Sequence, residues 1–93
     1  MPKPRSTKIR KETIAATAYR YTAIFDPDPN GGYTVTVPSL PGLVTEGESF
    51  EEARAMVHEA ILGYLEALRK HGEEIPIEDH PIITTQVAVT VPR

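Results

Sequence analysis

The fold of this chain is decided by residues 33–70, which read YTVTVPSLPGLVTEGESFEEARAMVHEAILGYLEALRK. Up to Val37 the apolar residues alternate with threonines, which is the period of a half-buried β-strand. Residues 38–42 end that strand, because proline cannot donate to a central ladder and Pro41-Gly42 suits a type II turn. Residues 43–48 then predict a second short strand that leads directly into a helix.

The helix carries the strongest local signal in the sequence. Ser49 is suited to cap its first turn, and Glu52 lies three residues further on, where it can complete a capping box. Gly72 follows the last basic residues and suits a left-handed cap at the C-terminal end. Between these ends, apolar residues recur at the spacing of one buried stripe: Phe50, Ala53, Val57, Ala60, Ile61, Tyr64, Leu65 and Leu68. Together these signals predict a helix of about six turns.

Two further segments alternate in the same manner. Tyr19–Phe25 predicts a strand that a turn over residues 26–32 joins to the strand at Tyr33, and Thr84–Val91 predicts a last strand after the helix. The order is therefore β-β-β-α-β, and a right-handed crossover would place the last strand beside the first and parallel to it. The sequence thus predicts an α+β fold of two layers, with one helix packed on a mostly antiparallel four-stranded sheet.

A single helix can cover only one face of such a sheet. The opposite face would carry a mixed set of side chains that is neither core-like nor strongly charged: Arg20, Thr22, Ile24, Thr34, Thr36, Val44, Glu46, Gln86, Ala88 and Thr90. A partner subunit often covers a surface of this kind, and a solvated antiparallel face is the alternative. We expect a homodimer or a higher homo-oligomer, and the sequence does not choose the symmetry.

Length and composition are those of one globular domain. The 93 residues are 40% hydrophobic and 25% charged. The chain has no cysteine, which excludes a disulfide framework, a thiolate metal site and a thiol nucleophile. No apolar run reaches the roughly 18–20 residues that cross a bilayer, and no apolar signal stretch follows Met1. We therefore expect a cytoplasmic protein without membrane contact.

The charge divides the chain into a flexible basic arm over residues 1–16 and an acidic α+β domain over residues 17–93. The first twelve residues hold one acidic side chain and five basic ones, a net charge of +4: Lys3, Arg5, Lys8, Arg10 and Lys11. The rest of the chain holds five basic and twelve acidic side chains, a net charge of −7. An acidic domain suits a basic protein partner better than nucleic acid, although the arm could contact phosphates.

Several short pieces stand in a specific order along the chain. They are YTA at 21–23, GGYTVTVPSLPG at 31–42, EGESFEEA at 46–53, Glu59-Ala60, and Ile75-Pro76. As an ordered set over residues 19–91, they resemble the HicB antitoxins of type II toxin–antitoxin systems. The resemblance is to a short form of that family, since the sequence stops at Arg93 where many members continue into a C-terminal DNA-binding domain.

The resemblance implies a partial ribonuclease-H-like domain that binds a small, basic HicA ribonuclease toxin and blocks its activity. That toxin is itself similar to a double-stranded-RNA-binding fold. One alternative is a solitary HicB-like protein without a toxin. Another is a small nucleic-acid-associated regulator that uses the basic arm.

Side chains around the first turn are the candidate contacts to such a basic toxin. The residues that we expect to make these contacts are Asp26, Asp28, Tyr33, Glu46 and Glu48. Charge complementarity there would speed association more than it deepens affinity. The alternative is that these residues are solvated surface groups.

The same acids are also the candidates for a magnesium-dependent nuclease. None lies in the middle of the first strand, where such a site needs one, and Asp26 and Asp28 suit turn positions. The three histidines lack metal-ligand spacing, while Ser39 and Ser49 have turn and capping roles. The sequence therefore predicts a binding protein that is not an enzyme and uses no cofactor or metal.

Overall fold

Within residues 17–93, three strands and one helix make up the regular structure. The computed structural model describes residues 17–93. The elements are β1 (Ile24–Pro27), β2 (Tyr33–Thr36), β3 (Val44–Gly47) and α1 (Phe50–Lys70). They form an α+β unit in which the helix follows a three-stranded antiparallel sheet of order β1-β2-β3.

The register of the sheet fixes which side chains share a face. One row across the three strands is Ile24–Thr36–Val44, and the next row is Asp26–Thr34–Glu46. Because successive side chains of a strand point to opposite faces, these six lie on one face and the residues between them lie on the other. The alternation that the sequence predicts for the three strands is confirmed.

Both ends of α1 are capped as the sequence predicts. The Ser49 hydroxyl accepts a hydrogen bond from the Glu52 N–H at 3.0 Å. The Glu52 carboxylate reaches back one residue further than a regular capping box, to the Glu48 N–H at 2.7 Å instead of the Ser49 N–H. At the other end Gly72 has a φ of +72°, and the Glu73 N–H donates to the Leu68 carbonyl at 2.8 Å, as in a Schellman cap. These contacts fix where the helix begins and ends.

The core lies between the sheet and the first half of α1. Of the side chains in residues 17–93, six are buried: Val35, Val37, Leu40, Leu43, Ala53 and Val57. From Ala60 onward the apolar stripe of the helix is only partly buried. The reason is length, because a four-residue strand spans about 13 Å whereas this helix spans about 31 Å. The C-terminal half of α1 therefore presents apolar side chains that the three strands do not fully cover.

Gly47 sets the distance between β3 and the helix. A Cβ atom at this position would lie 2.4 Å from the backbone nitrogen of Ala53 and 2.5 Å from its Cα. No rotation of a side chain can relieve such a contact, because both neighbouring atoms belong to the backbone. Any larger residue would push α1 away from the sheet and open the core.

The first strand is shorter than the sequence predicts. It begins at Ile24 instead of Tyr19. In the register of β1 and β2, the position opposite Thr22 is Pro38, which has no N–H to donate. The ladder therefore cannot extend regularly in this direction.

The fourth strand predicted over Thr84–Val91 is not formed. Residues 81–93 have no ladder partner anywhere in the described part of the chain, so the sheet has three strands instead of four. A last strand parallel to β1 and paired with it in the same chain is therefore wrong for this structure. The alternation of residues 84–91 indicates a face suited to burial, but it does not specify that the covering surface belongs to the same molecule.

Replacing Gly47 with alanine tests the close approach of β3 and α1. We expect Gly47→Ala to lower the free energy of unfolding by about 2–3 kcal/mol, since the overpacked contact displaces the helix. Gly63→Ala is the matched control, because nothing lies within 4 Å of a Cβ there. It is expected to raise the free energy of unfolding by about 0.5–1 kcal/mol through helix propensity. Urea unfolding of both variants measures this, and an unchanged Gly47→Ala midpoint would contradict it.

Candidate functional site

The sheet face that α1 leaves uncovered carries the candidate partner-binding site. We call it the open sheet face, and it consists of Ile24, Asp26, Thr34, Thr36, Val44 and Glu46. Ile24 and Val44 expose 36% and 62% of their surface. Asp26 and Glu46 are exposed on the two sides of Thr34. An apolar row therefore lies directly beside an acidic row, an arrangement that fits a partner with an apolar patch and a basic edge.

The structure separates the five residues predicted to contact a partner. Asp26 and Glu46 lie together on the open sheet face. The ring of Tyr33 lies instead on the helix side, where it packs edge-on against Phe25 and Phe50 with centroid distances of 6.4 and 6.0 Å. Tyr33 therefore belongs to an aromatic cluster near the start of α1 and not to the surface that carries the two acids.

The remaining two predicted residues make local contacts. An Asp28 carboxylate oxygen accepts a hydrogen bond from the Asn30 N–H at 2.9 Å, and the Asp28 N–H donates to the Gly32 carbonyl at 2.9 Å. The Glu48 N–H donates to the Glu52 carboxylate, while the Glu48 side chain is exposed. The turn role predicted for Asp28 is confirmed, whereas the one predicted for Asp26 is wrong, because Asp26 lies in β1 opposite Thr34.

The predicted phosphate contacts of the basic arm lie outside the described residues: Lys3, Arg5, Lys8, Arg10 and Lys11. Within residues 17–93, no three histidine, aspartate or glutamate side chains gather as a metal site. In the same part of the chain, no helix has the length and apolar character to cross a bilayer.

A carboxylate that the sequence analysis missed ties the loop after α1 to the sheet. One oxygen of Glu78 accepts hydrogen bonds from the Thr22 N–H and from the Ser39 hydroxyl, both at 2.9 Å, and the other accepts one from the Thr22 hydroxyl. Nearby, the Pro76 carbonyl accepts a hydrogen bond from the Tyr21 hydroxyl. We call the first three contacts the Glu78 clamp. Its partners are 39 and 56 residues away in the chain, so no local pattern indicates it.

The clamp favours the charged form of Glu78. The hydrogen bonds from Thr22, first that of its hydroxyl and then that of its N–H, lower the pKa of the Glu78 carboxyl below its ordinary value of 4.5. Ser39 adds to this effect, and partial desolvation opposes it. Burial, followed by the neighbouring Tyr19 and Glu78, raises the pKa of the Tyr21 hydroxyl, so that it remains a donor.

A second uncovered surface lies between residues 17–21 and α1. We call it the helix groove, and it is an open space of about 1050 Å³. Its apolar lining includes Tyr19, Tyr21, Val57, Ile61, Leu62 and Leu65, and charged side chains of both signs also line it. Ile61 and Leu65 belong to the partly buried apolar stripe of α1.

Comparison with known proteins places these features in a family. The model of a family described as HicB_like antitoxin of bacterial toxin-antitoxin system matches residues 21–90. That range includes all three strands, the helix and the Glu78 clamp.

Individual relatives match the same part of the chain. A UPF0150 protein of Thermoplasma acidophilum is 45% identical over 65 residues, which make up 70% of this chain and 94% of that protein. Antitoxin HicB 1 of Photorhabdus laumondii is 34% identical over 58 residues, 62% of this chain and 37% of the antitoxin. Antitoxin HicB of Escherichia coli K12 is 33% identical over 58 residues, 62% of this chain and 42% of the antitoxin. The chain thus corresponds to nearly all of the first relative and to less than half of each antitoxin.

Glu78→Gln tests the clamp through its pH dependence. The clamp lowers the pKa of the Glu78 carboxyl in the folded protein. Its contribution to folding stability is therefore complete above pH 4.5, the ordinary pKa, and is lost as the pH falls through the lower pKa of the folded state. We expect the variant to melt at a lower temperature than the parent at neutral pH, and the difference to shrink in acid. Thermal unfolding by circular dichroism across this range measures it. Glu74→Gln, at an exposed loop position, is the control, and a Glu78→Gln difference that stays constant with pH would contradict the assignment.

Proposed function

The chain belongs to the family of HicB-like antitoxins of bacterial toxin–antitoxin systems, and from this premise we propose that it binds and occludes a small, basic HicA-type ribonuclease toxin. Two relatives bear the name antitoxin HicB, which supports an antitoxin role for the part they share with this chain. Occlusion needs no chemistry from the antitoxin, because a bound partner keeps RNA away from the toxin.

The observation that carries this proposal is the open sheet face. Its apolar row supplies surface that gains free energy on burial, with Val44 the more exposed member. Its acidic row places Asp26 and Glu46 beside that apolar row, where they can pair with lysine or arginine at its edge. The two rows lie on strands that the core holds in fixed register, so the surface is preorganised for binding.

Charge favours a basic partner over RNA itself. The chain from residue 13 onward has a net charge of −7, and phosphate would be repelled from it. A basic toxin would instead be attracted, and the acidic row would speed its association. The three remaining predicted contacts are secondary in this proposal, because Tyr33 lies on the helix side and Asp28 and Glu48 lie outside the two rows.

The polar groups that could suggest catalysis have structural partners instead. The Ser49 hydroxyl caps α1, the Ser39 hydroxyl donates to Glu78, and the Asp28 carboxylate closes a turn. These contacts support a non-catalytic role. The partial ribonuclease-H-like form of the domain, which requires a fourth strand, is part of the same proposal, as is a cytoplasmic location where the toxin meets RNA.

Reversing the charge of the acidic row tests the proposed toxin interface. The chain is co-expressed with the product of the neighbouring gene, which the proposal expects to be a small basic protein that co-purifies with it. In Asp26→Lys/Glu46→Lys we expect association to slow and the dissociation constant to rise about tenfold or more, because like charges then meet at the interface. Kinetics by biolayer interferometry at low and high salt measure both effects.

Glu73→Lys/Glu74→Lys is the matched control, because it makes the same change of net charge at exposed positions after the helix. It should retain binding close to that of the parent chain. Failure of the two proteins to co-purify would overturn the proposed function. Salt-sensitive RNA or operator binding that disappears when residues 1–12 are removed would instead favour the nucleic-acid-associated alternative.

A further inference from the structure

The last part of the chain has the sequence alternation of an amphipathic strand but forms no strand in the structure. We call residues 83–91 the C-terminal segment. Its odd-numbered side chains are apolar except for one threonine, and four of them are exposed in the structure: Ile83 (88%), Val87 (79%), Val89 (76%) and Val91 (77%). Its even-numbered side chains are small or polar. Strand-forming residues with one apolar face gain stability only when a neighbouring strand and a covering surface are supplied.

No such neighbour exists within the described residues of the same chain. The C-terminal segment makes no hydrogen bond to residues 17–82, and within residues 17–93 its side chains make one hydrogen bond, a local one from Thr85. The structure extends 76 Å along its longest axis against 33 and 28 Å across. Since α1 accounts for only about 31 Å, the long axis includes chain that projects away from the packed core.

The packed part of the domain, residues 17–78, has an open strand edge and a groove that could receive such a segment. In the sheet order β1-β2-β3, one edge of β1 has no partner among residues 17–93, and an unpaired edge is a template for a further strand. The helix groove lies beside residues 17–21, which lead into that strand, and it is lined by half-exposed apolar residues such as Ile61 and Leu65. A strand placed along this edge would direct alternate side chains onto the uncovered stripe of α1.

We propose that the C-terminal segment of each chain adds to the β1 edge of a second copy and places its odd-numbered side chains in that copy's helix groove. Each copy donates one segment and receives one, so the contact is reciprocal and closes at a two-fold symmetric dimer. The Glu78 clamp fixes the point from which the segment leaves the body, because it holds the preceding loop to Thr22 and Ser39. The four residues 79–82, which include Pro81, then form the connection between the two copies.

This reciprocal exchange accounts for two features at once. It covers four large apolar side chains whose exposure in water is unfavourable, and it covers the apolar half of α1 that the short strands leave open. It also gives each body a four-stranded sheet, although the fourth strand comes from the other chain.

Size-exclusion chromatography with light scattering, together with sedimentation velocity, tests the exchange on the full chain. The parent chain is expected to be a dimer. In Val87→Asp/Val89→Asp we expect the dimer dissociation constant to rise about a hundredfold or more, because two charges would enter an apolar groove. Ala88→Asp/Thr90→Asp changes the other face of the same segment and should remain a dimer. A monomeric parent chain at micromolar concentration would overturn the proposal.

A second pair of variants tests the receiving groove. Leu62 and Met56 are both on α1 and are exposed to 46% and 43%, but only Leu62 lines the helix groove. Leu62→Glu is expected to weaken the dimer at least tenfold, whereas Met56→Glu should leave it unchanged. Equal effects of the two changes would overturn the assignment of the groove.

Mixing the segment variant with the groove variant distinguishes the proposed exchange from a dimer in which the two C-terminal segments pair with each other. Val87→Asp/Val89→Asp retains an intact groove, and Leu62→Glu retains an intact segment. If the segment of one copy enters the groove of the other, the two variants together form a heterodimer through one intact contact. If the two segments pair with each other, mixing restores nothing, and the proposal is wrong. None of these substitutions alters Asp26 or Glu46 in the acidic row. Failure of the proposed exchange can therefore be distinguished from failure of the proposed toxin binding.

Discussion

The contact on which the rest of the structure depends is the close approach of β3 to the first turns of α1 at Gly47 and Ala53. With no Cβ at Gly47, the sheet lies near enough for Ala53 and Val57 to pack on Val35 and close the core. The cap at Ser49 begins the helix at this point, so the turn, the close approach and the cap act together. A single helix placed in this way covers one face of the sheet and leaves the other to solvent or to a partner.

The second constraint is the Glu78 clamp, because it decides where the chain goes after the helix. Among the described residues, the Tyr21–Pro76 hydrogen bond is the other contact that holds this loop near the start of β1. The carboxylate accepts the Thr22 N–H two residues before β1, where the ladder with β2 has already ended. A side chain from a distant part of the sequence thus supplies the acceptor that no ladder partner gives to this N–H. The same contact holds Glu78, five residues before the C-terminal segment, beside Thr22.

The parts of the fold that sequence reasoning predicted are those that local chemistry specifies. The cap at Ser49, the left-handed Gly72 and the alternation through Tyr33–Val37 each depend on neighbours within a few residues, and each is confirmed. The parts that it missed depend on distant partners. Nothing near Glu78 in the sequence indicates Thr22 or Ser39, and nothing in the alternation of residues 84–91 indicates which chain supplies the next strand. For the candidate site, the register places Asp26 and Glu46 on one face, which the sequence pattern does not specify, and Tyr33 on the other face although it lies near them in the sequence.

The two uncovered surfaces are connected through β1, and this gives the proposed exchange a consequence for the proposed function. A strand added to the β1 edge with its odd-numbered side chains toward α1 would turn Gln86, Ala88 and Thr90 toward the open sheet face. That face would then widen by one strand contributed by the second copy, next to the strand that carries Asp26. The added residues are small or uncharged, so the apolar and acidic rows would stay accessible to a basic partner. Assembly of the two copies would in this way enlarge the binding surface instead of competing with it.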